Sequence, residues 1–171
     1  YRDIRISSLY EGTTGIQSQD LLARKVPLQN GKALALLVDE MMRTISLASN
    51  YDELKPYADE LSSSLQLSQK ILQKLMPFAM KGNYERYLSD ANLFMEYMSI
   101  VVLSWLWLEM AVNSKEKITT DDLKYSKIFY ESKIHTMKFY FKYELPKTLS
   151  LSESLMSDEV LTIKEDKEYI V

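Results

Sequence analysis

Glycine and proline are so sparse in this sequence, four of each in 171 residues, that a turn-rich all-β protein is strongly disfavoured and long helices are expected. Apolar residues then recur at three and four positions, the spacing that puts one stripe on one face of a helix. Leu34, Leu37, Val38, Met41, Met42, Ile45 and Ala48 form one such stripe, which Asn50 to Asp52 should break. Leu54, Ala58, Leu61, Leu65, Leu72, Leu75 and Ala79 form a longer one, with Pro77 kinking its last turn and Gly82 placed to terminate it. Tyr84 to Ala111 reads as a third helix, carrying Leu88, Phe94, Met98, Val101, Trp105 and Leu108. Thr119 or Thr120, ahead of Asp121 and Asp122, should cap a fourth that carries Leu123, Ile128, Phe129, Ile134, Met137, Phe141 and Leu145. Pro146 should end or bend it, Ser150 with Glu153 fits the start of a further short helix, and the charged tail from Asp158 should fray.

The first 15 residues differ. They are polar and turn-rich, and read as an extended segment and a loop. Thr14 and Gln17 fit a capping box for a short helix that Pro27 closes. The fold class is therefore all-α: an up-down four-helix bundle, ~30–45 Å long, preceded by an extended N-terminal segment and a short helix.

Composition excludes several chemistries. Lys and Arg total 21 against 24 for Asp and Glu, a net charge of −3, which argues against polyanion binding by the chain as a whole. Without cysteine there is no disulfide, thiolate zinc site or cysteine nucleophile, and a single histidine, His135, makes neither a histidine metal site nor a histidine-based triad. No metal is expected. The 12 uncharged residues from Tyr97 to Leu108 fall short of the ~20 a membrane span needs and are bounded by Glu96 and Glu109. They read as a buried central helix, with Trp105 and Trp107 pointing to different faces. The stretch from Lys124 to Lys142 has five lysines interleaved with aromatics, and the plain reading is a solvated lysine face opposite an aromatic core face. The nine methionines lie on helical stripes and fill core gaps. The chain starts at Tyr1 with no signal peptide following, which suggests a cytoplasmic piece of a longer protein.

What remains is YEGTTGIQ, residues 10 to 17: one carboxylate, two hydroxyls and two glycines just before a helix start. Backbone N–H groups there favour an anion, and Gly12 and Gly15 allow a ligand to approach the backbone closely. Glu11, buried in a dry apolar partner cavity, would become basic enough to act as a general base. The residues alone leave two readings open, a helix-start loop with a surface Glu and a ligand site.

The stretch YRDIRISSLYEGTTGIQSQDLLARKV resembles the C-terminal signature of acyl-CoA dehydrogenases, a YRD-x-[RK]-I segment, then Y-E-G-T, then I-Q at a helix start. Tyr1, Arg2, Asp3, Arg5, Ile6, Tyr10, Glu11, Gly12, Thr13, Ile16 and Gln17 match. Ile4 departs from the small residue more usual there, a matter of local packing. ANLFMEYMSIVVLSWLWLEMA and FYFKYELPK resemble the extra helical region that follows the dehydrogenase core in one branch of the family. The resemblance divides the chain into residues 1–27, the end of the catalytic domain, and residues 28–171, the added bundle.

That resemblance implies an FAD-dependent enzyme that introduces a trans double bond between the α and β carbons of an acyl-CoA thioester. Glu11 would be the catalytic base for the α-proton, while the β-hydride passes to the flavin. Tyr10 and Gly12 would lie beside the substrate, and Thr13, Thr14 and Gly15 would touch the FAD. An electron-transfer flavoprotein is the usual acceptor, and the bundle is expected to be structural and oligomerising, giving a homodimer. The rest of the flavin site lies in domains absent from these residues, so the isolated chain is expected to be inactive. The competing readings are a non-enzymatic helical interaction module and the family's branch that responds to DNA alkylation damage. The net charge weighs against the latter, and no nucleic-acid partner is expected.

Overall fold

The computed structural model describes residues 3–10 and 12–163, and among these every regular element is helical. A 3-10 turn at Ile4–Ser8 is followed by α1 (Thr14–Asp20), which opens into a π-type turn (Leu21–Lys25). Then come α2 (Lys32–Ala48), α3 (Lys55–Met80), α4 (Tyr84–Leu88), α5 (Ala91–Thr120), α6 (Lys127–Tyr143) and α7 (Lys147–Leu155).

Long-range contacts fix the directions of the four main helices. Along α2 and α5, Leu34 and Leu37 face the same trough as Phe94 and Met98, and Thr44 meets Trp105 farther on. These two helices therefore run parallel. Glu53, just before α3, pairs with Lys115, while Ser64 meets Tyr97, so α3 runs opposite to α5. Glu53 also reaches Lys138, and the Tyr57 and Phe141 rings meet edge-on at 5.3 Å, so α6 runs with α3. The result is an up-down-up-down bundle in which α5, the longest helix, touches α1, α2, α3, α6 and α7. The stretch Tyr84–Thr120 is long and apolar enough to cross a membrane by length and composition, and 39% of its apolar window is buried in the bundle; the expected buried central helix is buried on one side, while Leu103, Leu106 and Met110 are exposed. Phe94, Val101 and Leu108 on α5 are fully buried against Met41, Leu61 and Met137.

Polar groups inside the bundle are satisfied by one another. The Tyr97 hydroxyl donates to the Ser64 carbonyl at 2.7 Å, and the Trp105 Nε1–H donates to Thr44 Oγ1 at 2.8 Å. Burial pushes the Tyr97 hydroxyl well above its ordinary value, so it remains a donor throughout the working pH range.

Several boundaries fall away from the sequence expectation. The segment expected to be extended contains the 3-10 turn, with Leu9 and Tyr10 N–H both returning to the Ile6 carbonyl. The capping box does not form. Thr13, not Thr14, precedes the first turn of α1, and its side chain makes no cap bond. The third helix is two, because the chain breaks at Ser89 and Asp90; Asn83 caps α4 by accepting from the Arg86 N–H at 3.1 Å. Thr119 and Thr120 do not start α6. Their hydroxyls bond back to the Lys115 and Glu116 carbonyls, and α5 runs on until Asp121 turns left-handed at φ 55°. Ser126 is the cap of α6, so Leu123, Ile128 and Phe129 lie at or before its first turn and stay exposed. Ser150 and Glu153 do not begin a helix either, since α7 already starts at Lys147 behind Pro146.

Gly82 ends α3 as expected, at φ 75°, with Gly82 N–H bonding the Ala79 carbonyl and Asn83 N–H the Phe78 carbonyl, the reciprocal pair of a Schellman stop. The described part of the tail is tied rather than frayed. Lys74 pairs with Asp158 at 2.7 Å, and Arg86 donates to the Ser157 carbonyl at 3.1 Å.

Candidate functional site: the loop before α1

Tyr10 and residues 12–15 precede or open α1 and are exposed. Tyr10 is 77% exposed, and Gly12, Thr13, Thr14 and Gly15 all face solvent. Glu11 lies outside the described residues. The backbone is compact here: Thr14 N–H bonds the Gly12 carbonyl at 2.9 Å, and Gln17 N–H bonds the Thr13 carbonyl at 3.0 Å. The Gln17 carboxamide folds back onto Gly12 so closely that a Cβ at position 12 would sit 2.7 Å from its Nε2. A Cβ there would displace only the end of the exposed Gln17 side chain. At Gly15 a Cβ would meet nothing within 4 Å, so that side of the loop is open.

This loop is exposed but well seated, because the helix behind it is anchored. Ser18 is buried, its hydroxyl within 2.9 Å of the Gly15 carbonyl and 2.5 Å of Asn92 Oδ1 at the start of α5. Leu22 is fully buried, and its carbonyl accepts from the Tyr87 hydroxyl at 2.7 Å. Asp20 and Arg24 pair on the outer side of the helix; the Arg24 guanidinium lowers the Asp20 carboxyl, and Asp20 raises Arg24. Sequence reasoning missed Ser18, Asn92 and Tyr87. Nothing local marks them, because their partners lie 74 and 65 residues away.

The open side of the loop suits a polar or anionic ligand. Thr13 and Thr14 present exposed hydroxyls, and the first turn of α1 leaves backbone N–H groups that no preceding helical turn can accept. Around it, Ile4, Leu9, Tyr10 and Ile16 expose large apolar surface, at 73%, 77%, 77% and 67%. On the far side of α1, Leu21, Val26, Leu37, Phe94, Met98 and Val102 line an apolar trough of about 580 Å³ between the π-type turn, α2 and α5.

The family model for proteins described as acetyl-CoA dehydrogenase C-terminal like matches residues 37–164. The chain belongs to that family. It is also 26% identical over 172 aligned positions to the broad-specificity linear acyl-CoA dehydrogenase FadE5 of Mycobacterium tuberculosis. That alignment covers 96% of this chain and 28% of the relative, so the chain spans less than a third of the relative's length. The family match covers the bundle, and the longer alignment covers almost all of the chain.

The other features weighed from the sequence fall outside this site. On α6, Lys127 pairs with Glu131, Lys138 pairs with Glu53, Lys133 stands over the Phe129 ring at 4.8 Å, and Lys142 stands over Tyr143 at 5.3 Å. The lysine face is thus occupied by contacts within the chain. His135 is exposed on the same helix beside Glu131 and Lys138. Among the described residues no cluster of three or more His, Asp or Glu side chains is arranged to hold a metal.

Proposed function

We propose that this chain forms the C-terminal part of an FAD-dependent acyl-CoA dehydrogenase that desaturates an acyl-CoA thioester between its α and β carbons. In this reading residues 1–27 close the catalytic domain and residues 28–171 form a bundle appended to it. The observation that carries it is the family match, together with an exposed segment at residues 12–15 that leads into an anchored helix and has exposed apolar neighbours. Such a segment is ready to close against another part of the polypeptide.

Glu11 takes the α-proton onto its carboxylate as the Cα–H and Cβ–H bonds break and the C=C bond forms. FAD, when bound, would supply the acceptor for the β-hydride. Tyr10 and Gly12 would border the acyl thioester. Thr13, Thr14 and Gly15 would hold the cofactor. Covering the loop would remove water from Glu11, raising its affinity for the proton and strengthening every polar contact to the developing enolate. The relative's linear acyl substrates make a linear acyl chain the first to test here. An electron-transfer flavoprotein is the proposed oxidant of the reduced flavin, and the cytoplasm the proposed compartment.

The bundle supplies packing and assembly. The outer face of α5 exposes Leu103, Leu106 and Met110, and α2 beside it exposes Leu36 and Leu47. Arg43 links the two helices there, to Glu40 at 2.9 Å and Glu109 at 3.8 Å. We assign to this face the homodimer contact.

The test is Glu11→Gln in the complete polypeptide. The variant should retain FAD and bind acyl-CoA, while dehydrogenation falls by at least a thousandfold. Full activity in the variant, or a wild-type protein without flavin, would refute the reading. The isolated chain should bind no FAD, which an absorbance spectrum of the purified protein decides.

A further inference from the structure

The turn that joins α1 to the rest of the bundle has an unusual hydrogen-bond pattern. Where the helix widens, Val26 N–H bonds the Leu21 carbonyl at 2.9 Å. The next carbonyl, on Leu22, would look to Val26 in an α-helix or to residue 27 in a continued π-type turn. Val26 is already committed, and residue 27 is Pro27, which has no N–H. Leu22 is fully buried, so water does not reach this carbonyl. The hydroxyl of Tyr87, itself 3% exposed, donates to it at 2.7 Å from α4. Tyr87 is held in turn by α4, which begins directly after the Gly82 stop and is capped by Asn83. Burial also keeps the Tyr87 hydroxyl protonated, and so a donor.

We propose that Tyr87 is a positioning residue for residues 12–15 at the start of α1: its hydroxyl replaces the amide that Pro27 lacks, fixes the π-type turn, and so sets the direction in which α1 presents that segment. The functional half of this statement rests on reading the segment as part of the dehydrogenase base loop. The structural half stands on the hydrogen bonds alone. Removing the hydroxyl leaves a buried carbonyl without a donor, a cost the turn can relieve only by shifting. Restoring an N–H at position 27 offers the carbonyl a local donor instead.

The experiment compares Tyr87→Phe, Pro27→Ala and the double variant. In the chain itself, backbone amide exchange across residues 17–22 should speed up about tenfold in Tyr87→Phe and return toward wild type in the double variant. In the complete enzyme, Tyr87→Phe should lower kcat about tenfold, leave KM for the acyl-CoA and the FAD content near wild type, and be rescued by Pro27→Ala. Unchanged exchange in α1, or a kcat loss that Pro27→Ala does not relieve, would overturn the proposal. So would faster exchange with wild-type kcat. If Tyr87→Phe does not fold, recovery of the fold in the double variant supports the proposal and its absence overturns it. Should the wild-type enzyme show no dehydrogenation at all, the loop reading fails, and the exchange result still decides whether Tyr87 fixes the turn.

Discussion

Glu53 is the most informative charge to remove. It sits in the turn before α3 and is gripped by two lysines from different helices, Lys115 of α5 at 2.5 Å and Lys138 of α6 at 2.6 Å. The two ammonium groups hold its carboxyl far below the ordinary carboxylate range, from 4.5 down to about 2, and the contact with Glu53 raises Lys138. A displacement of that size corresponds to roughly 3.4 kcal/mol if unscreened. The Glu53 side chain is 40% exposed, however, and the lysines are 30% and 39% exposed. Solvent screening and the entropy of holding three long side chains reduce the net value to about 1 kcal/mol. Because the folded value lies below the unfolded one, this stabilisation is present above pH 4.5 and is lost as the pH falls from there toward about 2. Glu53→Gln should therefore lower Tm by about 2–4 °C at pH 7. The gap between wild type and variant should narrow to a small fraction of its pH 7 value as the pH is lowered toward 2, where the wild-type carboxyl is about half protonated, and should shrink in 1 M salt. Thermal melts followed by circular dichroism at pH 7, 4 and 2 read this directly. A gap undiminished at pH 2, or no gap at pH 7, would refute the idea that one carboxylate clamps three parts of the bundle.

Two further substitutions test the packing. Phe94 is fully buried on α5, and Phe94→Ala should destabilise the chain by about 3–4 kcal/mol through the cavity it leaves, with Tm falling by roughly 8–12 °C in the same melts. Gly82 carries φ 75° with no atom within 4 Å of a built Cβ, so Gly82→Ala should cost about 1 kcal/mol from backbone strain alone; urea denaturation that shows no loss would mean the α3 stop can relax.

The α2 and α3 helices were legible because their signals lie within one turn of each other. Apolar spacing set their inner faces, and Gly82 stopped α3 without help from the rest of the fold. The segment around Glu11 stood out in another way, as a dense run of residue types resembling the dehydrogenase signature. The boundaries that went astray were places where two local signals competed. Thr119 and Thr120 look like caps for the next helix, but a threonine hydroxyl bonds equally well to the carbonyl four residues back, and α5 kept them. The stripe from Tyr84 onward reads as unbroken because the break at Ser89 and Asp90 preserves the apolar side of the chain.

The helical-bundle fold could be read from the amino-acid sequence alone. Periodicity and helix stops are written within a few positions of one another. The tertiary structure decided how the start of α1 is held. Tyr87 answers for Pro27 from α4, its hydroxyl meeting a carbonyl 65 residues away, and Glu53 meets Lys115 and Lys138 across 62 and 85. No local pattern encodes such pairs, because each arises only when packing of the apolar faces has brought distant polar groups within hydrogen-bonding distance.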